Sequence, residues 1–271
     1  MSEPYQLGVA SNSDAVLNAN LLASPDLAAS GTRPLIQRGF LSATMAYNAC
    51  IESFDENRPM LLIHQDVYLP DGWLGKLTQA MAWLDEHDPR WTVLGIIGRD
   101  GAGEMRGRAW SNGIGREVGY TIEAPQRVAT VDELVIVLRG GSGLRFDEQL
   151  PGFHLYGTDI VLTAMERGRT AYVFDGPVIH NSLPVKALDK NYEAAYRYMQ
   201  RKWWHRLPIQ TLIVPITESL WPIRRQRWRV TRERLTGRRF PTERHPDPAR
   251  LARELGYERT EPLNVEAVDV R

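Results

Sequence analysis

Residues 60–73 read MLLIHQDVYLPDGW. The apolar run Met60–Ile63 passes straight into His64, Gln65 and Asp66, and a turn signal follows at Pro70-Asp71-Gly72. An unbroken apolar run closed by turn residues is the pattern of a strand buried on both faces, which belongs in a parallel sheet covered by helices. An imidazole and a carboxylate are expensive to bury unpaired, so the strand should end where they begin. Polar residues there serve a ligand, since ligands sit beyond the carboxyl edge of such sheets, or they serve only the turn.

Outward from this stretch, short apolar runs alternate with segments of helical period. YQLGVASN (5–12) and RPLIQRG (33–39) read as strands on the N-terminal side. LSATMAYNACIESF (41–54) reads as a helix with a stripe through Leu41, Met45 and Ala49 and a contact row through Ala46 and Cys50. On the other side, WLGKLTQAMAWLDEH (73–87) sets Leu74, Leu77, Ala80, Met81 and Leu84 on one helical face. WTVLGIIG (91–98) is the next strand. This βαβαβ rhythm predicts a mostly parallel sheet flanked by helices. Beyond about residue 105, GRAWSN, EVGYTIEA and ATVDELVIVLRG are strand-like with no helix between them. LYGTDIVLTAMERG (155–168) is a helix with Gly168 as its stop. TAYVFDGPVIHNS (170–182) is a strand ending in His180, and helices rich in Arg and Trp follow from 189. The final EPLNVEAVDVR is too short and featureless to assign.

The chain has 271 residues, enough for one large domain or two modest ones. Its single cysteine, Cys50, excludes an internal disulfide framework and fits a reducing compartment. The first residues lack the basic and apolar regions of a signal peptide, and no apolar run is long enough to span a bilayer. A cytoplasmic protein is expected. The net charge of zero conceals a division: residues 197–244 hold 13 Lys/Arg against 3 Asp/Glu, and the remainder holds 20 against 30. An acidic body thus carries a basic segment suited to something anionic.

The polar residues that follow strands or open helices are His64 with Asp66, Asp132, Asp159 and His180. Asp66 suits a hard divalent cation shared with a phosphate, and equally a turn. His180 is a ligand or a hydrogen-bonded structural histidine. Asp159 is a general base or a helix cap. No Gly-rich loop has phosphate-cradling spacing, and Cys50 reads as a small core residue.

In series, AYNACIE, LLIHQDVYLPDGW and GFHLYGTDIVLTAMERGRTAYVFDGPVIHNS resemble the family 2-like glycosyltransferases of the GT-A fold. The match is to the branch with His-Gln-Asp in place of Asp-x-Asp, and it covers roughly residues 6–183. The resemblance implies a Rossmann-like GT-A domain over 1–185, with 186–271 as a helical basic extension. It implies Mn²⁺ or Mg²⁺ on Asp66, His180 and His64, and a nucleotide-diphospho-sugar donor held by Asn48, Gln65, Asp66 and Asp132. It makes Asp159 the base that takes the proton of a hydroxyl acceptor, with inversion. The pattern departs from the family where His64 replaces the first aspartate. No acidic residue ends the first strand to hold a nucleobase or ribose, Asp14 being nearest.

Within residues 201–239, Trp203, Trp204, Trp221 and Trp228 interleave with Arg and Lys. This composition suits an anionic membrane surface, where indoles sit among headgroups. It also suits a solvated helical face. No nucleic-acid motif accompanies it, so a nucleic-acid partner is not expected. A lipid-linked or polysaccharide acceptor would fit a peripheral location at the inner membrane face. The rival functions are a metal-dependent nucleotide-sugar hydrolase or nucleotidyltransferase on the same residues, and a non-catalytic nucleotide- or carbohydrate-binding module.

Overall fold

A computed structural model describes residues 5–184, 187–236 and 241–258. Its first half alternates strands and helices: β1 (Gln6–Ala10), α1 (Asp14–Ala19), α2 (Pro25–Ser30), β2 (Leu35–Gln37), α3 (Ala43–Ser53) and β3 (Met60–His64). Then come β4 (Val67–Tyr68), α4 (Trp73–His87), β5 (Trp91–Gly95) and β6 (Ile97–Arg99). A run of strands follows: β7 (Met105–Ser111), β8 (Arg116–Tyr120), β9 (Gln126–Val128), β10 (Thr130–Val131) and β11 (Val135–Leu138). The chain continues with α5 (Tyr156–Glu166), β12 (Thr170–Val173), β13 (Ile179–His180), α6 (Lys190–Lys202), α7 (Trp221–Leu235) and α8 (Pro248–Glu254). The short helices α1 and α2, between the first two strands, have no counterpart in the sequence reading.

The central sheet runs β2-β1-β3-β11-β5-β12-β9, and only β11 and β9 oppose the other five strands. The fold class is therefore the expected one, a mixed α/β architecture with a mostly parallel sheet. Alternation along the strands builds two cores. Met60, Leu62, Ile136 and Leu138 face α3 and α5, while Leu61, Ile63, Val135 and Val137 face α1, α2 and α4. Both faces are covered, which explains the unbroken apolar runs.

Helix α3 starts at its Ser42 cap, whose Oγ accepts from Met45 N at 3.3 Å. Its inner face is Ala43, Ala46, Tyr47, Cys50 and Ile51. The stripe expected through Leu41 and Met45 points outward, Leu41 being 85% exposed. Small residues face inward because β1 lies so close: a Cβ on Gly8 would come within 2.8 Å of Cys50 Sγ.

A second sheet runs β10-β6-β7-β13-β4, with β8 paired to β7. Four segments break and pass between the sheets: 60–68 (β3 to β4), 91–99 (β5 to β6), 130–138 (β10 to β11) and 170–180 (β12 to β13). The basic extension is packed into the body. Tyr192, Ala195, Tyr196, Met199, Trp203 and Ile223 belong to the same core as α3 and α5. Residues 261–271 lie outside the described chain.

Candidate functional site

Connections leave β1 on the α1/α2 face and leave β2 on the α3 face, because β1 sits between β2 and β3. The strand order reverses there, and the crevice at the strand ends is where ligands bind in open α/β sheets. A cavity of about 290 Å³ opens at this point. Its walls include Ser11 and Asn12 after β1, Gln37 ending β2, Tyr47 on α3, and His64 and Asp66 at the end of β3.

His64 and Asp66, two positions apart, meet the distant His180 at its edge. His64, Asp66 and His180 each offer a ligand atom, and these atoms all lie within 4.8 Å of one another. The meeting follows from the sheet crossing. Antiparallel β4 and β13 pair Val67 with His180, and Asn181 N donates to Asp66 O at 2.8 Å. His180 Nε2 lies 3.6 Å from Asp66 Oδ1, and the His64 and His180 ring centroids are 6.3 Å apart.

The electrostatics of the three are opposed. Burial alone would raise the Asp66 carboxyl, but His180, His64 and Arg244 hold it well below the usual carboxylate range. Burial also resists charge on His180, yet Asp66 and Asp132 outweigh it and raise its pKa. Burial lowers the pKa of His64 against the pull of Asp66, and His180 adds to the lowering. The opposed shifts favour charge on His180 beside Asp66 and disfavour it on His64. Two imidazoles and a carboxylate fit a divalent cation, and the nitrogen donors favour Mn²⁺ over Mg²⁺, which prefers oxygen. A cation held there would need the ligating nitrogen of His180 unprotonated.

Residues absent from the sequence reading complete the surroundings. Tyr156 Oη lies 2.6 Å from His64 Nε2 and donates to the Glu133 carbonyl at 3.3 Å. With Nε2 so engaged, a ligating His64 presents Nδ1, and Tyr156 orients the ring as an outer-shell partner does. Arg244 reaches Asp66 Oδ2 at 3.3 Å and also donates to the Asn181 carbonyl. Its segment is stitched in place: Asn112 Nδ2 donates to Glu243 O at 2.9 Å, and Asn181 Nδ2 to His245 O at 3.0 Å. Nothing in a sequence flags a contact spanning 178 residues. Glu133 carries a second signal: burial, with Asp132 beside it, pushes its carboxyl up to about 8. Asp132 and Glu133 stand side by side in the sequence, but their half-buried place beside the histidines cannot be read there.

The remaining expected site residues separate into near and far. Gln65 is near, but its side chain holds the loop after β1. Its Oε1 accepts from Ser11 Oγ at 2.8 Å and from Asn12 N and Ser13 N at 3.1 Å each. Asp132 follows β10, caps the backbone N–H of Leu134 at 3.1 Å, and acts electrostatically on both histidines. Asn48 is spent on the loop before α5, donating to Phe146 O at 2.9 Å and accepting from Phe146 N at 3.0 Å. Asp14, in α1, pairs with Arg38 at 2.6 Å.

Asp159 lies in the first turn of α5 but is no cap, since that position is held by Leu155, a buried residue at φ 66°. Its carboxylate is 2% exposed and accepts from Trp203 Nε1 at 2.7 Å and Lys202 Nζ at 2.8 Å. Burial raises its pKa despite the ammonium beside it.

No family model matches the sequence. A curated protein of Fuscovulum blasticum, ATP synthase subunits region ORF 6, is 28% identical over 163 residues. Those residues are 56% of this chain, and the match spans 62% of that protein's length. Among solved structures, GalNAc-T7 with UDP, GalNAc and Mn²⁺ aligns at TM-score 0.49 and 11% identity, over 74% of this chain and 49% of that one. TarS of S. aureus aligns at 0.43 and 12%, over 73% and 39%. The inositol-1-phosphate CTP transferase of T. maritima aligns at 0.32 and 16%, over 73% and 78%.

Proposed function

We propose that the chain is a glycosyltransferase that takes a nucleotide-diphospho-sugar at the β1/β3 crevice and passes the sugar to a hydroxyl acceptor. The observation that supports this is the convergence of His64, Asp66 and His180 beside a cavity at the reversal of strand order. In this reading the cavity lined by Ser11, Asn12, Gln37 and Tyr47 receives the nucleoside. Gln65 fixes the loop that forms its wall. A cation held by His64, Asp66 and His180 would neutralise the diphosphate as it leaves. Arg244, which lies on Asp66, would leave that carboxylate to a bound cation and could then meet the phosphates. Asp159 remains the proposed base, on condition that Lys202 withdraws from it. Asp132, whose charge already acts on the triad, is the competing carboxylate.

The test is a thermal-shift and calorimetric screen of nucleoside diphosphates with and without Mn²⁺, because a ligand that binds only the folded state raises its melting temperature. Wild type should bind a nucleoside diphosphate more tightly with Mn²⁺ than with Mg²⁺. Asp66→Ala should lose that metal dependence, and Arg244→Ala should bind Mn²⁺ more tightly. Identical titrations for wild type and Asp66→Ala would refute the assignment. Turnover of the donor without an acceptor would move the reading to a hydrolase.

A further inference from the structure

We propose that the outer face of α7 is a membrane-docking surface for a bilayer containing acidic phospholipid. Trp221, Trp228 and Leu235 are spaced seven residues apart and are 66%, 64% and 83% exposed. Seven residues turn a helix by about 700°, so each step returns to within about 20° of the same face and advances about 10 Å. The three side chains form one line along the helix. Exposed Arg224 falls on one side of it and exposed Arg225, Arg229 and Arg232 on the other, between about 40° and about 100° from Trp228 by the same periodicity. The Arg232 guanidinium lies over the Trp228 ring, 5.7 Å from its centroid. The opposite face secures the helix to the body. Ile223 and Val230 are buried there, and Arg227 binds Glu193 Oε2 at 2.8 Å and the Leu188 carbonyl at 2.7 Å. Among the described residues no ion pair engages Arg224, Arg225 or Arg229.

An apolar row fringed by cations is the form of a helix lying in the interface plane, with indoles at headgroup depth and guanidinium groups on phosphates. Nucleic acid would use the same cations and stack on the tryptophans. The third member of the row, Leu235, offers no π-face for a base but enters acyl chains readily, which favours lipid. The surrounding charge complements an anionic leaflet, since residues 197–244 carry ten more cations than anions. The surface is independent of the Asp66 site, and it stands whether or not the chain transfers sugar.

The test uses the full chain in flotation with vesicles of phosphatidylcholine alone or mixed with phosphatidylglycerol. Binding should appear only with phosphatidylglycerol, fall as salt rises, and bring quenching of tryptophan fluorescence by brominated acyl chains. Replacing Arg224, Arg225 and Arg229 together by Gln should weaken binding roughly 10²-fold, at the usual worth of a cation near such a surface. The same change at Arg33, Arg127 and Arg169, which are exposed elsewhere, should leave most of it. The Trp221→Ser/Trp228→Ser pair should keep its melting temperature and lose the quenching. No binding to mixed vesicles, wild-type quenching in the tryptophan pair, or tighter binding to a single-stranded oligonucleotide than to vesicles would each overturn the proposal.

Discussion

Asp159 and Asp132 present two carboxylates in opposite circumstances. Asp159 is enclosed by Lys202 and Trp203, whereas Asp132 is half-buried with its charge turned to the histidines. Asp159→Asn should lower the melting temperature, because Lys202 keeps only Asp147, at 2.7 Å. As the proposed base it should also cost ~10²–10⁴-fold in transfer rate, the usual worth of a positioned base. Asp132→Asn should leave that rate within a few-fold. If rates at saturating donor fall only in Asp132→Asn, the base is Asp132. Glu133 carries a pH dependence of stability. Its folded-state pKa, about 8, is above the ordinary value of 4.5. The folded protein therefore holds this proton where the unfolded chain has lost it, so the stabilisation is complete at acid pH and disappears as pH rises through about 8. Melting temperature should fall between pH 5 and pH 9 in wild type, as the carboxyl crosses its value near 8, and less steeply in Glu133→Gln. Parallel curves for the two would exclude this assignment.

Among the elements, α5 connects most of the site. Tyr156 at its start orients His64, and Gly157 brings the helix against the β10–β11 connection that bears Asp132 and Glu133. A Cβ on Gly157 would sit 2.8 Å from the Val131 carbonyl and 3.2 Å from the Asp132 carbonyl. Neither atom can yield as a flexible side chain can. Gly157→Ala should therefore cost on the order of 1–3 kcal/mol, as overpacking does, and weaken Mn²⁺ binding by shifting Tyr156. A wild-type melting temperature in this variant would refute the close-approach argument. The strands explain the rest of the site. The segments carrying Asp66, Asp132 and His180 each break where they cross between sheets; Asp66 and Asp132 occupy the breaks, and His180 ends the short strand beyond one. Apolar runs revealed the strands. The breaks are written in the same residues, but a run such as MLLIHQDVY does not say that its two halves pair with different partners.

At the scale of the whole molecule, α6 and the chain up to α7 belong to the body. Tyr192, Tyr196, Met199 and Trp203 fill the core beside α3 and α5, and Lys202 neutralises Asp147 and Asp159. A chain ended at residue 185 should accordingly lack a cooperative thermal transition, since it exposes that apolar surface and removes the partner of a buried carboxylate. A sharp melt near the full-length value would show the first 185 residues to be an independent domain. No helix among the described residues is long and apolar enough to cross a membrane. The alternation of apolar runs with amphipathic segments determined a mostly parallel sheet, the longer helices α3, α4 and α5, and the positions of His64, Asp66 and His180 near strand ends, because strand and helix periods are local properties of a chain. Tertiary structure alone decided that β4 and β13 pair and bring Asp66 to His180, that Arg244 lies on Asp66, and that Lys202 and Trp203 enclose Asp159. Those contacts join residues up to 178 positions apart, and their energies depend on burial and distance, which exist only once the chain has folded.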